Sequence, residues 1–156
     1  AKTYAMIDED DWNLVMETNL KSVWLMSKAY TGLVVKNGRK TGNIINISSI
    51  WGREQGGVLA YMPAQAALSA CSNHLTIEVA STRLTVNAVA PGFVDTRWWK
   101  DREHYDVIKQ MAAEATPLKR VAGPDDVAQT IMGLLRADMV TGDIVVMDGG
   151  MGQSHG

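Results

Sequence analysis

Apolar residues in this chain fall into runs of two kinds. From Trp12, the positions Trp12, Val15, Met16, Val23, Met26 and Tyr30 recur at helical intervals and predict an amphipathic helix reaching about Leu33, with Asp8 or Asp10 placed to cap it. Ile44, Ile45 and Ile47 instead form a short block that stops at Ser48-Ser49, the pattern of a buried parallel strand delivering an exposed serine hydroxyl to the edge of a sheet. Two further blocks behave alike: Leu84 to Ala90 ends at Pro91-Gly92, and Asp143 to Met147 ends at Asp148-Gly149-Gly150. Helical stretches separate them. One opens at Tyr61 with Pro63 in its first turn, where a fixed φ and a missing N–H do no harm. Another opens at Pro124, with Asp125 and Asp126 in its first turn and Val127, Ile131 and Leu134-Leu135 expected to face inward. The polar segment Lys36 to Gly42 reads as a turn. Strand, helix, strand, helix, strand predicts an α/β fold with a parallel sheet and crossover helices.

Composition narrows the field. At 156 residues and 46% hydrophobic content, residues 1–156 are expected to form a single domain. A net charge of −2 offers no electrostatic reason to expect nucleic acid or an anionic membrane as partner. Cys71 is alone, which excludes an internal disulfide, and there is neither an apolar run of membrane-spanning length nor a signal-peptide core in the opening A-K-T-Y-A-M-I-D-E-D. The expectation is a soluble, cytoplasmic protein. His74, His104 and His155 lack ligand spacing, so no metal is expected, and no G-x-S-x-G elbow supports a serine hydrolase. Asn46-Ile47-Ser48 matches the glycosylation acceptor pattern but lies within a predicted buried strand.

The candidate chemistry clusters between Gly42 and Leu68. Ser49 stands at the mouth of what is expected to be a central strand, and Tyr61, twelve positions on, shares a helical face with Gln65 four residues later. Small residues in that helix (Ala64, Ala66, Ala67, Ser69, Ala70, Cys71, Ser72) allow close approach of another helix, within the subunit or across a dimer. Asn19, inside an apolar stripe, must find hydrogen-bond partners, which a plain helix–helix contact would provide. Pro91-Gly92 is either a simple strand terminator or a place where backbone approaches a ligand. Trp98 and Trp99 suit packing or a substrate wall, and Trp51 tilts the balance toward an apolar or ring-bearing substrate.

The pattern N-I-S-S-x-x-G, then tyrosine opening a helix, then V-N-x-x-x-P-G-x-x-x-T from Val86 to Thr96, resembles the short-chain dehydrogenase/reductase family. N-L-K-S-V at 19–23 and V-T-G-x-x-x-x-x-D-G-G at 140–150 extend the likeness over nearly the whole chain. The resemblance implies the second half of a doubly wound, Rossmann-like sheet, with NAD or NADP as cofactor and a small carbonyl or alcohol as substrate. It implies catalytic roles for Asn19 (helix distortion and a water relay), Ser49 (polarising the reacting oxygen), Tyr61 (proton donor or acceptor) and Gln65. Cofactor contacts are implied at Tyr61, Pro91, Gly92, backbone of Val94 and the Thr96 hydroxyl, with Arg97 to Pro117 as the variable substrate lid. A homo-oligomer through the helices at 10–33 and 61–79 is also implied.

Two departures stand out. Gln65 occupies the position of the family's catalytic lysine, and the glycine-rich phosphate loop of the family's first strand–helix unit is absent. Gly150-Met151-Gly152 does not replace it, because no helix can follow before Gly156. The chain therefore reads as a C-terminal catalytic portion. Ionising a free phenol at pH 7 costs roughly 4 kcal/mol, and glutamine, unlike lysine, brings no charge to offset it. A lyase or isomerase using Ser49 and Tyr61 without nicotinamide, or a non-catalytic oligomerising subunit, are the other function classes this pattern permits.

Overall fold

Eight consecutive buried residues define the centre of the molecule. They form β2 (Leu84–Pro91), and because neighbouring side chains on a strand point to opposite faces, both faces of this strand must be covered. The computed structural model describes residues 6–39, 41–52, 60–100 and 103–153. The start of the chain at 1–5, Lys40, the glycine-bearing stretch 53–59, two lid positions at 101–102 and the tail with His155 lie outside the described residues.

Among the described residues β2 pairs in parallel with β1 (Gly42–Ile47) on one side and β3 (Ile144–Met147) on the other. The parallel sheet and crossover helices are as expected; the position of β1 is not. It is an edge strand of this sheet rather than a central one, only Ile44 of its isoleucines is fully buried, and Ile47 is half exposed. Strand β2 takes the centre because its Val86, Ala88 and Ala90 alternate with Thr85, Asn87 and Val89 and all six find cover.

The first helix is longer than the sequence pattern indicated and is interrupted. It runs as α1 (Glu9–Met16), a π-helical turn (Glu17–Lys21) and α2 (Ser22–Lys36), ending at Asn37 and Gly38, whose φ is +63°. Asp8 is the N-cap: its carboxylate accepts the Asp11 amide at 2.8 Å, and Asp11 answers from its own side chain. The expected apolar stripe is only partly an inner face. Met26 is 71% exposed and Trp12 and Tyr30 lie at the surface, whereas the buried positions of α2 are Ser27 and Val34. Val34 meets Ile44, Leu75, Val79, Leu84 and Val86 in one cluster.

Helix α3 (Tyr61–Glu78) opens as expected, and packs on β2 and on the π-helical turn, a helix–helix contact within this chain. Two short helices, α4 (Arg97–Lys100) and α5 (Tyr105–Ala115), fill the predicted lid segment. Helix α6 (Pro124–Leu135) buries Leu134, while Leu135, expected inside, is 39% exposed. Its cap is electrostatic. The Arg120 guanidinium, bonded to both Asp126 oxygens at 2.9 Å, and the Gly123 amide hold the Asp126 carboxyl down at about 2.

Asn87 closes the sheet's far side. Its amide donates to Val140 O at 2.8 Å and its carbonyl accepts Asp143 N–H at 3.1 Å, fastening the turn before β3 to the central strand. Replacing it removes one partner from each of two part-buried backbone groups. Asn87→Leu is expected to lower the unfolding free energy by about 2–4 kcal/mol, read from denaturant unfolding.

Candidate active site

Parallel strands bring their C-terminal ends to one edge, the place where open α/β sheets hold ligands. Pairings of Ile47 with Val89 and of Pro91 with Met147 set the Ser48-Ser49 turn, the Pro91-Gly92 turn and Asp148 side by side there. Gly92 is wedged among them. A β-carbon on it would stand 3.0 Å from the Asp148 β-carbon and 3.7 Å from Ile50 Cδ1, so a side chain here fits only if the Asp148 turn gives way by a few tenths of an ångström.

The two serines divide their work. Ser48 Oγ donates to Gln65 O at 3.3 Å and pairs with Ser69 Oγ at 3.0 Å, stapling the end of β1 to α3. Ser49 was expected exposed but is 7% exposed, and its Oγ accepts the Trp51 N–H at 3.2 Å in a short turn. A hydroxyl that accepts from its own backbone keeps its proton for another acceptor. The turn continues to Gly52, which lies on α3: a β-carbon there would come within 2.9 Å of Ala66 N and of the Gln65 carbonyl carbon. Ser49 is thus three residues from a contact with α3 at Gln65, and Tyr61, half-buried, is one helical turn before Gln65.

Gln65 is 3% exposed, and its Oε1 is buried without a hydrogen-bond partner among the described residues. Asn19 sits in the π-helical turn against α3, with its amide donating to Val15 O at 2.9 Å. That side-chain-to-backbone bond accompanies the loss of α-helical regularity at the position where the family resemblance implied a distortion.

Beyond Gly92 the chain forms an isolated parallel bridge between Val94 and Ala122. The bonds of that bridge use Phe93 O and Asp95 N, at 3.3 and 2.8 Å, leaving the amide and carbonyl of Val94 turned the other way. Thr96 O accepts Trp99 N–H at 3.1 Å and so starts α4. Trp99 stacks on Phe93 with centroids 4.8 Å apart, while Trp98, edge-on to Trp99, is mostly exposed.

Several polar contacts escaped sequence reasoning. Asp95 accepts from Tyr105 and Lys109, each at 2.6 Å, and the spacing of four between those two was the one available hint. The bond from Lys109, followed by that from Tyr105, lowers the Asp95 carboxyl, and Asp95 in turn raises both partners. Asn46 of the glycosylation pattern spends its amide on Ser72 Oγ at 2.8 Å. Asp148 accepts the Gly150 and Gly152 amides, both at 2.8 Å, which gives that Gly-Met-Gly run a turn-forming role.

Comparison with known proteins matches residues 1–152 to the family model described as enoyl-(acyl carrier protein) reductase. The chain belongs to the short-chain dehydrogenase/reductase family. Among curated members, it is 36% identical over 149 residues to the Escherichia coli 3-oxoacyl-[acyl-carrier-protein] reductase FabG, covering 92% of this chain and 58% of that one. It is 33% identical over 146 residues to the Thauera aromatica (2S)-[(R)-hydroxy(phenyl)methyl]succinyl-CoA dehydrogenase subunit BbsD, covering 92% and 57%. Two dehydrogenase structures share the fold: acetoin dehydrogenase from Enterobacter cloacae (24% identity, TM-score 0.85, 98% of this chain and 59% of that one), and 4-hydroxyisoleucine dehydrogenase complexed with NADH (23%, 0.85, 96% and 63%). The short-chain dehydrogenase/reductase chain described here thus spans a little over half the length of these curated relatives.

The family's chemistry implies a nicotinamide dinucleotide. The residues present fit its nicotinamide end: Val94 has an amide turned away from its bridge, and Gln65 has a buried, unmatched acceptor. A glycine-rich cradle for the pyrophosphate is not found among the described residues.

At Gly52 the obstacle is helix backbone, which cannot rotate aside. Gly52→Ala must push the Ser49 turn off α3, so it is expected to lower stability by about 1–3 kcal/mol in thermal or denaturant unfolding.

Proposed function

We propose that this chain carries the catalytic portion of an NAD(P)-dependent oxidoreductase that reduces a ketone by hydride transfer. The observation that carries this reading is the staple from Ser48 to α3, which fixes the Ser49 turn against the helix whose first turn bears Tyr61. The likeness to relatives named as a 3-oxoacyl-[acyl-carrier-protein] reductase and as a (2S)-[(R)-hydroxy(phenyl)methyl]succinyl-CoA dehydrogenase subunit supports this reading.

In this reading Ser49 donates its hydroxyl proton in a hydrogen bond to the substrate carbonyl oxygen, and Tyr61 transfers a proton to the same oxygen. The cofactor, when bound, supplies hydride to the carbonyl carbon. Backbone at Val94 and the Thr96 hydroxyl hold the carboxamide, Pro91 and Gly92 shape the floor beside it, and Gln65 takes the lysine's place near the ribose. Asn19 holds the water through which Tyr61 is reprotonated. Trp51 and Trp98, both at the surface, are available to an apolar or ring-bearing substrate. The apolar surface of α2, with Trp24, Leu25 and Met26 exposed in a row, fits a subunit contact and hence a homo-oligomer.

A second reading is favoured by Gln65 alone: with no cation at this position, the chain would serve as a non-catalytic subunit. Tyr61→Phe separates the two. In the full polypeptide, reduction of a 3-oxoacyl thioester followed by loss of reduced-cofactor absorbance is expected to fall about 10²–10⁴-fold with Tyr61→Phe. An unchanged rate would establish that Tyr61 is not the acid.

Gln65 also sets a direction. Reduction uses the neutral phenol whereas alcohol oxidation uses the phenolate, so reduction is expected to exceed oxidation at neutral pH. A lysine charge restored beside the phenol favours its ionised form by about 1–3 pH units, so Gln65→Lys is expected to raise the oxidation rate at pH 7 by about ten-fold or more. Rates in both directions from pH 6 to 10 check this, and equal neutral-pH rates in the parent would contradict it.

A further inference from the structure

Helix α5 is bound to the body of the protein in an unusual way. None of its residues is buried, its Val107 and Met111 lie exposed, and a cleft of about 510 Å³ lined by Asp95, Asp106, Lys109, Arg120 and Ala122 separates it from the 120–123 segment. Across one end of this cleft stands a single carboxylate. Asp95 Oδ1 accepts the Tyr105 hydroxyl and Asp95 Oδ2 accepts the Lys109 ammonium, each at 2.6 Å. Tyr105 and Lys109 are four apart, so both donors leave the same face of α5, and Lys109 also lies 5.6 Å from the Tyr105 ring centre.

What makes this contact consequential is where the carboxylate is rooted. Asp95 lies between Val94 and Thr96, and its backbone N–H is fixed to Ala122 O at 2.8 Å. That main-chain bond ties the short Phe93–Thr96 stretch to the 120–123 segment, so a pull on the Asp95 side chain acts on an anchored backbone. Trp99, stacked on Phe93, attaches α4 to the same short stretch. The lid segment therefore has its polar anchor on the very residues whose backbone lies beside the proposed nicotinamide contacts.

We propose that Asp95, Tyr105 and Lys109 form a clamp through which the position of α5 sets the Val94–Thr96 backbone, making Tyr105 and Lys109 positioning residues for cofactor binding. This rests on the oxidoreductase reading above. Neither residue touches the cofactor; they act through Asp95. Removing either donor leaves the carboxylate half-satisfied and lets α5 and the Val94–Thr96 backbone move independently.

The test uses the full polypeptide with Lys109→Met, Tyr105→Phe and Lys109→Arg, the last keeping the cation. Reduced dinucleotide binding is followed by fluorescence titration, and amide hydrogen exchange is read over 92–96 and 103–115 with and without dinucleotide. In the parent, dinucleotide is expected to slow exchange in both segments. Lys109→Met is expected to raise the dissociation constant about five-fold or more and to uncouple the two segments, so that added dinucleotide no longer protects α5. Tyr105→Phe is expected to act in the same direction and Lys109→Arg to restore most of the affinity. A clamp with only a structural role would speed exchange in α5 and leave the dissociation constant within two-fold, and that result would overturn the proposal. Absence of dinucleotide binding by the parent would instead overturn the oxidoreductase reading, and the clamp's role in cofactor positioning with it.

Discussion

The arrangement of the whole sheet edge depends on how closely the turn after β1 can approach α3. Ser48 contributes a hydroxyl bonded to Gln65 O and paired with Ser69, and Gly52 contributes the absence of a side chain where 2.9 Å is all the room there is. Small buried residues on the helix, Ala64, Ser69 and Ser72, let it lie this near, and Asn46 adds a bond to Ser72 one turn further along. Individually such buried hydrogen bonds contribute only about 1 kcal/mol. Their value here is geometric: three contacts spread over two turns of α3 fix both its distance from β1 and its rotation, and with them the direction in which Tyr61 leaves the helix.

The elements that form this edge were legible in the sequence because their signals are local. A block of isoleucines halted by Ser48-Ser49, a strand halted by Pro91-Gly92 and a helix begun with Pro63 in its first turn each declare a boundary within a few residues. Which strand takes the centre was not legible, since Ile44, Ile45 and Ile47 are more apolar than Thr85 and Asn87 of β2. What decides is polar pairing at long range: Asn87 is buried comfortably because Val140 and Asp143, more than fifty residues away, satisfy its amide. Hydropathy counts such a residue against burial, and only the fold reveals its partners.

The same limit explains the first helix. Periodicity identified it, but a helix of more than two turns with a π-helical interruption changes face as it passes Asn19, so a stripe extrapolated from Trp12 arrives at the wrong side by Met26. At Asn19 itself, sequence reasoning weighed a plain buried contact against a helix distortion, and the backbone bond to Val15 accompanies the latter. The Asp95 contact was illegible for a different reason. Tyr105 and Lys109 look like ordinary solvated positions until the chain after β2 brings a carboxylate to within 2.6 Å of both.

Gln65 is where the family pattern and this chain's physics part most clearly. A lysine presents three donors and a charge, and no acceptor; a glutamine presents two donors and a carbonyl, and no charge. Burying that carbonyl at 3% exposure with no donor to accept from among the described residues costs about 1–3 kcal/mol. An approaching hydroxyl group would relieve it by donating, whereas at a lysine the same hydroxyl would have to accept. The substitution therefore does more than delete a charge. It adds an acceptor one helical turn from Tyr61 while keeping two donors, so a hydroxyl network assembled there can run in either sense, and no cation at this position favours a phenolate.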